Sequence, residues 1–163
     1  MVERHGTYRD YEWVITFELD GHRCGYVGIP ENHPFFEKPD DFFNFINCHG
    51  GITFTGHEKL GFSSDDWLVG FDCAHFPMDA IDLECIKRYF GDKELRSIEG
   101  SIGRGYRTSG HIWTAEEVEE ELKSMIDQII KHTPDAYKQF SNKLDNIEKD
   151  LMSGKYKEAN HEI

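Results

Sequence analysis

Glu12-Trp13-Val14-Ile15-Thr16-Phe17-Glu18-Leu19, Asp20-Gly21 and His22-Arg23-Cys24-Gly25-Tyr26-Val27-Gly28-Ile29 follow one another without a break. Two runs rich in β-branched and aromatic residues thus flank an Asp-Gly pair. That arrangement is the strongest short-range signal for a β-hairpin, because Asp and Gly tolerate the positive φ of the tight turn. Pro30 ends the second run, since it has no N–H to give a ladder. The hairpin commits the chain to a sheet, and the remaining segments are read as additions to it.

Downstream, Glu31 to Phe36 is a loop whose Phe35 and Phe36 suit a cap on the core. Asp40 to Ile46 is too short an apolar run to separate a short helix from a strand, and a strand or irregular approach is favoured because His49-Gly50-Gly51 would turn it tightly into Ile52-Thr53-Phe54. Glu58 to Asp66 is a polar loop. Trp67 to Cys73 is apolar enough for a buried central strand, and Gly70 within it marks a bulge or a close neighbour. Met78 to Phe90 reads as a short helix or turn, ended by Gly91.

Gly100 to Gly110 is the one basic, glycine-rich segment. It reads either as an ordinary surface loop or as a lid whose Arg104 and Arg107 would clamp an anion. Its glycine spacing matches no phosphate-binding motif.

Thr114-Ala115-Glu116-Glu117 is a capping box, in which Ser or Thr and an acid three residues on satisfy each other's amides. Val118, Leu122, Met125, Ile126 and Ile129 then trace one apolar helical face. Thr133-Pro134 restarts a second helix, with Tyr137, Phe140, Leu144, Ile147 and Leu151 at heptad-like spacing. The expected fold is α+β. An antiparallel or mixed sheet comes from the N-terminal two thirds, with a helical hairpin over 114–153 packed on it. Residues 1–154 form one domain and 155–163 a loose tail. The heptad-like stripe also offers a surface for a homodimer.

The 163 residues carry 31 acids against 18 bases, a net charge of −13, which disfavours a phosphate backbone as partner. Such acidity also suits a protein-binding surface or a DNA mimic that blocks a host enzyme. No apolar run approaches the roughly 20 residues of a membrane span. The opening Met1 to Gly6 lacks the apolar segment of a signal peptide, so a cytoplasmic location is expected. The four cysteines are then expected as thiols rather than disulfides.

Chemistry gathers between Asn47 and His75, where two apolar runs end in imidazole, thiol, carboxylate and glycine. His49, Asp72 and His75 are candidates for acid–base work, imidazoles titrating near neutrality and a carboxylate orienting them. Cys48 or Cys73 beside a histidine would instead be a nucleophile. Asp72, Cys73 and His75 with His49 reach the ligand count of zinc. The chain lacks paired Cys-x-x-Cys or His-Glu-x-x-His spacing, however, so neither a metal nor another cofactor is expected. Alternation along a strand also places Cys73 and His75 on one face and Asp72 on the other. As a ligand pocket, the region would use His49, Gly50, Gly51, Thr53, Asp72 and His75 for polar contacts and Tyr26 and Trp67 as apolar walls. Singly, each residue also has a structural reading: a turn cap, a brace for loop amides, a small core hydrophobe.

Arg23 to Pro30, His33 to Phe36, His49-Gly50-Gly51-Ile52-Thr53-Phe54, Trp67 to His75 and Trp113 to Leu122 occur in an order that resembles a family of small bacteriophage and prophage proteins. The resemblance covers Arg23 to Ile130, with the helix from Pro134 as an extension. It implies a phage origin rather than a mechanism. By analogy with phage accessory proteins that counter host defence, the leading expectation is sequestration of a small anionic, nucleotide-derived signal. The alternative is its hydrolysis by a phosphodiesterase-type His/Asp cluster.

Overall fold

The computed structural model describes residues 1–58, 60–62, 65–75, 77–102 and 108–152. The strands are Val2–Tyr8 (β1), Tyr11–Phe17 (β2), Arg23–Ile29 (β3), Phe54–Gly56 (β4) and Trp67–Asp72 (β5). The helices are Leu83–Phe90 (α1), Asp92–Ile102 (α2), Ala115–His132 (α3) and Asp135–Met152 (α4). The fold is α+β, as expected, and its single sheet is antiparallel throughout in the order β1-β2-β3-β5-β4. Met1–Lys131 forms one compact unit, and the segment from His132 onward, which holds α4, forms a second. None of the described helices is long and apolar enough to cross a membrane.

The hairpin joins β2 to β3 with Phe17 opposite Arg23, and Gly21 takes φ 92° in the connection. The first strand was not evident in the sequence. Val2–Tyr8 is polar, and its turn to β2 uses Arg9 and Asp10 at φ 48° and 66°, a left-handed pair without glycine. Asp40–Phe43 corrects a second reading, for it is a 3-10 helix rather than a strand. The aromatic residues explain the choice, since Phe42, Phe43 and Phe45 each make ring contacts with Phe35. Successive side chains of a strand point to opposite faces and cannot converge in that way. The strand β5 is interior, paired with β3 and β4. Gly70 is explained by a close neighbour, because the Tyr26 ring lies across it.

Register sorts the sheet into two faces. Trp13, Ile15, Val27, Ile29, Val69 and Phe71 share a core with Val118, Leu122, Met125, Ile126 and Ile129 of α3. Their burial is the main stabilising term of the unit, at about 1.5–3 kcal/mol for each large side chain. The capping box closes as read: Thr114 N–H donates to Glu117 Oε2 at 2.8 Å, and Glu117 N–H donates to Thr114 Oγ1 at 3.2 Å. A smaller core of Phe17, Cys85 and Ile86 holds α1, whose N-terminus Asp82 caps by accepting from Cys85 N–H. The helix α2 follows Gly91 and sets Leu95 and Ile98 against the smaller core.

Where the two cores meet, Arg23 is 5% exposed, yet each of its donors is used. Nε–H and one NH2 proton form a fork on Glu3 at 2.7 and 2.9 Å. NH1 donates to Asp82 and to the carbonyl of Trp113, and NH2 also reaches the sulfur of Cys85. Glu3 can turn inward because the β1–β2 register shifts between Val2 and Arg4, a bulge that re-aims its side chain.

Replacing Arg23 by Met should cost about 3–5 kcal/mol, because Glu3 and Asp82 would stay buried without their cation. Urea unfolding measures it, and adding Glu3→Gln should recover part of the loss. An effect near zero would contradict the network.

His33 supplies a pH test. It is buried, its Nδ1 accepts Phe35 N–H at 3.0 Å, and burial pushes its pKa from 6.5 down to about 4. Between those values the unfolded chain binds a proton that the folded chain does not. This contribution is therefore complete above pH 6.5 and drains as pH falls toward 4, to a total of about 3 kcal/mol. The thermal midpoint should fall through that window and fall less in His33→Asn. Equal slopes in the two proteins would contradict the assignment.

Candidate functional site

The residues from Asn47 to Gly51 are moored to α3. Asn47 N–H donates to Gln128 Oε1 at 2.7 Å, and Gln128 Nε2 donates back to Asn47 O at 3.0 Å. The His49 N–H donates to Glu121 Oε2 at 3.0 Å. A turn bond from Gly51 N–H to Cys48 O bends the chain, with Gly50 at φ 68° and Gly51 at φ 81°. Gly50 is required twice over, since a Cβ there would fall inside the imidazole of His75.

Beyond β5 the chain turns, with the amides of Met78 and Asp79 both donating to His75 O. The segment 78–80 is then clamped by His111, which donates to Met78 O and accepts from Ala80 N–H at 2.8 Å each. Gly110 permits that approach, because a side chain there would meet the backbone of Met78 and Asp79.

Both segments deliver their polar groups to Asp79, which is 2% exposed. Its Oδ2 accepts from His49 Nε2 at 2.7 Å and from His75 N–H at 2.6 Å. Its Oδ1 accepts from the indole N–H of Trp113 at 3.1 Å. Because an ionised carboxylate only accepts, Nε2 is the ring nitrogen of His49 that carries the proton in this bond. The His49 ring packs on Trp113 at 4.4 Å between centroids and meets the His75 ring edge-on at 5.0 Å. Burial opposes ionisation of Asp79, but the His49 and His75 donors outweigh it and hold the carboxyl below its ordinary range.

His75 Nδ1 lies 3.4 Å from Asp79 Oδ2 and 3.9 Å from Asp72 Oδ1. It is buried and hydrogen-bonds neither. Asp72 is braced by Thr53 Oγ1–H at 2.8 Å and Ala74 N–H at 3.1 Å. His75 thus stands with Asp72, not with Cys73 as alternation suggested, because β5 ends at Asp72 and the turn redirects the chain. Cys73 continues the alternation into the core beside Phe71.

Three sequence candidates, His49, His75 and Asp72, therefore lie together, with Thr53 and Gly50 as supports. Trp67 does not join them. It sits at the opposite end of β5 and donates its indole N–H to Lys38 O. That is about 17 Å along the strand from Asp72. Tyr26 packs over Gly70 and edge-on to Phe54, nearer but outside the histidine group. Gly51 lines open space. Arg104 and Arg107 lie outside the described residues. The central carboxylate, Asp79, was missed, and so was Trp113 as a donor to it.

The thiols do not fit a nucleophile. Burial pushes Cys48 up to about 12 and Cys73 higher still, so both stay protonated near neutrality. His49, His75 and Asp79 each offer one ligand atom, all within 4.8 Å of one another, which is the spacing of a metal-binding group. Behind Asp79 a cavity of about 30 Å³, lined in part by His22 and Cys73, has room for a water but not for a nucleotide. A small molecule would meet the centre from the side where His49 and His75 are partly open.

Comparison with protein-family models, with curated proteins and with solved structures finds no match.

The two glycines separate strain from crowding. Gly51→Ala adds only left-handed strain, about 1–2 kcal/mol. Gly50→Ala adds the same strain and displaces His75. Thermal unfolding should rank Gly50→Ala as the costlier change, and only Gly50→Ala should shift the His75 ring signals in NMR. Identical spectra for both variants would contradict the packing.

Proposed function

We propose that the protein hydrolyses a small nucleotide-derived phosphoester, activating water at the His49–His75–Asp79 centre with Asp72 as the adjoining carboxylate. The observation that carries this reading is Asp79 itself. A carboxylate 2% exposed is costly to bury, and here it is spent on holding two imidazoles and an indole in one place. Bracing the turn at His75 would need only one of those contacts. Orienting an imidazole through a buried carboxylate is how acid–base sites hold a productive tautomer.

Other features support the substrate class. The net charge of −13 disfavours a polymeric phosphate backbone but not a small ester that presents few charges. Met78 and Ile112, 62% and 46% exposed, adjoin Asp79 and Trp113 in the chain and offer apolar surface for a base or sugar. The protonated thiols favour water over a cysteine nucleophile. The phage setting, removal of a host defence signal, is suggested by the resemblance alone.

The test is to incubate the protein with cyclic nucleotides and NAD-derived signals, heat-denature it, and separate the products. A new product is expected, formed about 10²–10⁴-fold more slowly by Asp79→Asn. It should form at unchanged rate with Cys48→Ser. Intact ligand released on heating would replace hydrolysis with sequestration. No capture and no product would remove both readings.

A further inference from the structure

We infer that His49, His75 and Asp79 form a binding site for one divalent transition metal of the zinc class, with the remaining coordination position open to solvent. Its role in turnover rests on the hydrolytic reading above, whereas its binding does not.

The strongest sign is His75 Nδ1. It is buried, faces carboxylate oxygens at 3.4 and 3.9 Å, and is aligned with neither for a hydrogen bond. If protonated it is a donor without an acceptor; if not, its lone pair faces negative charge. A cation between His75 Nδ1 and Asp79 Oδ2 resolves both cases. Their 3.4 Å separation also suits the site, since ligands on tetrahedral zinc at about 2.0–2.2 Å stand about 3.3 Å apart. His49 Nε2 and Asp79 Oδ2, at 2.7 Å, would open by about half an ångström as the metal replaces the proton between them.

The surroundings are arranged as outer shells of metal sites are. Trp113 N–H holds Asp79 Oδ1, leaving Oδ2 for the metal. Gly50 fixes the His75 ring from behind, and the reciprocal Asn47–Gln128 bonds fix the loop of His49. Two imidazole nitrogens and one carboxylate favour zinc, cobalt, nickel or iron over magnesium and calcium, which prefer oxygen. Three protein ligands with an open position are the pattern of a catalytic rather than a structural site. On binding, the metal accepts lone pairs from His49 Nε2, His75 Nδ1 and Asp79 Oδ2. In the metal-bound site His49 carries its ring proton on Nδ1, which leaves the Nε2 lone pair to the metal.

Zinc chloride titrated by calorimetry into chelator-treated full-length protein should give a stoichiometry of one. Cobalt should give visible d–d absorption. His75→Gln and Asp79→Asn should abolish the transition, and Trp113→Phe should weaken binding about 10- to 100-fold. His57, whose ring packs on Trp67 at the opposite end of β5, is the control: His57→Ala should leave binding unchanged. Circular dichroism verifies that each variant is folded; should Asp79→Asn unfold, His75→Gln alone decides. No binding, or binding unaffected by His75→Gln, overturns the site. Zinc binding without turnover of any nucleotide leaves the site standing and removes the hydrolytic reading. Full turnover by chelated protein that binds no zinc does the reverse.

Discussion

A guanidinium sealed between two apolar cores dictates much of what surrounds it. Arg23 is tolerable there because Glu3, Asp82, the Trp113 carbonyl and the Cys85 sulfur take all its protons. The acceptors come from three parts of the chain: a bulged edge strand, the N-terminus of α1 with its cap, and the entry to α3. Removing the charge would leave carboxylates stranded. Retaining it requires that these three segments be in register with one another. Burial also favours the neutral form of Asp82, but the Cys85 amide and Arg23 outweigh that and hold it ionised.

The same residue sets the position of the candidate centre. Its NH1 fixes the Trp113 carbonyl at 2.7 Å, and the Trp113 indole in turn fixes Asp79. Asp79 then gathers His49 and the amide of His75. From a structural ion pair to the imidazoles there are three hydrogen-bonded steps, all anchored on the sheet or α3. Loops carry the site, but its atoms are held by rigid elements, which is the condition for a preorganised centre.

Local signals were read correctly where local energy decides. The β2–β3 hairpin follows from alternation and Asp20-Gly21, and the start of α3 from Thr114 and Glu117, whose reciprocal bonds need no distant partner. The 3-10 helix at Asp40–Phe43 was misread because its reward is tertiary, a cluster of rings around Phe35. Strand β1 was hidden because its turn forces Arg9 and Asp10 into a conformation they seldom adopt. In the site, His49 and His75 were visible as imidazoles beside glycines and strand ends. Asp79 was not, being one of 31 acids and placed only by contacts distant in the chain, among them the clamp of His111 on its neighbours Met78 and Ala80. Alternation separated Asp72 from Cys73 correctly and failed for His75, since the period of two ends with the strand.

The acid–base reading of the centre depends on the bond between His49 and Asp79. Nitrogen-15 NMR of the imidazole rings in metal-free protein at neutral pH observes that bond directly. The expected result is a His49 ring with its proton fixed on Nε2, slow to exchange with solvent, a signature that is lost in Asp79→Asn. A His49 ring that averages between tautomers, or that carries its proton on Nδ1, would show that Asp79 does not organise this site.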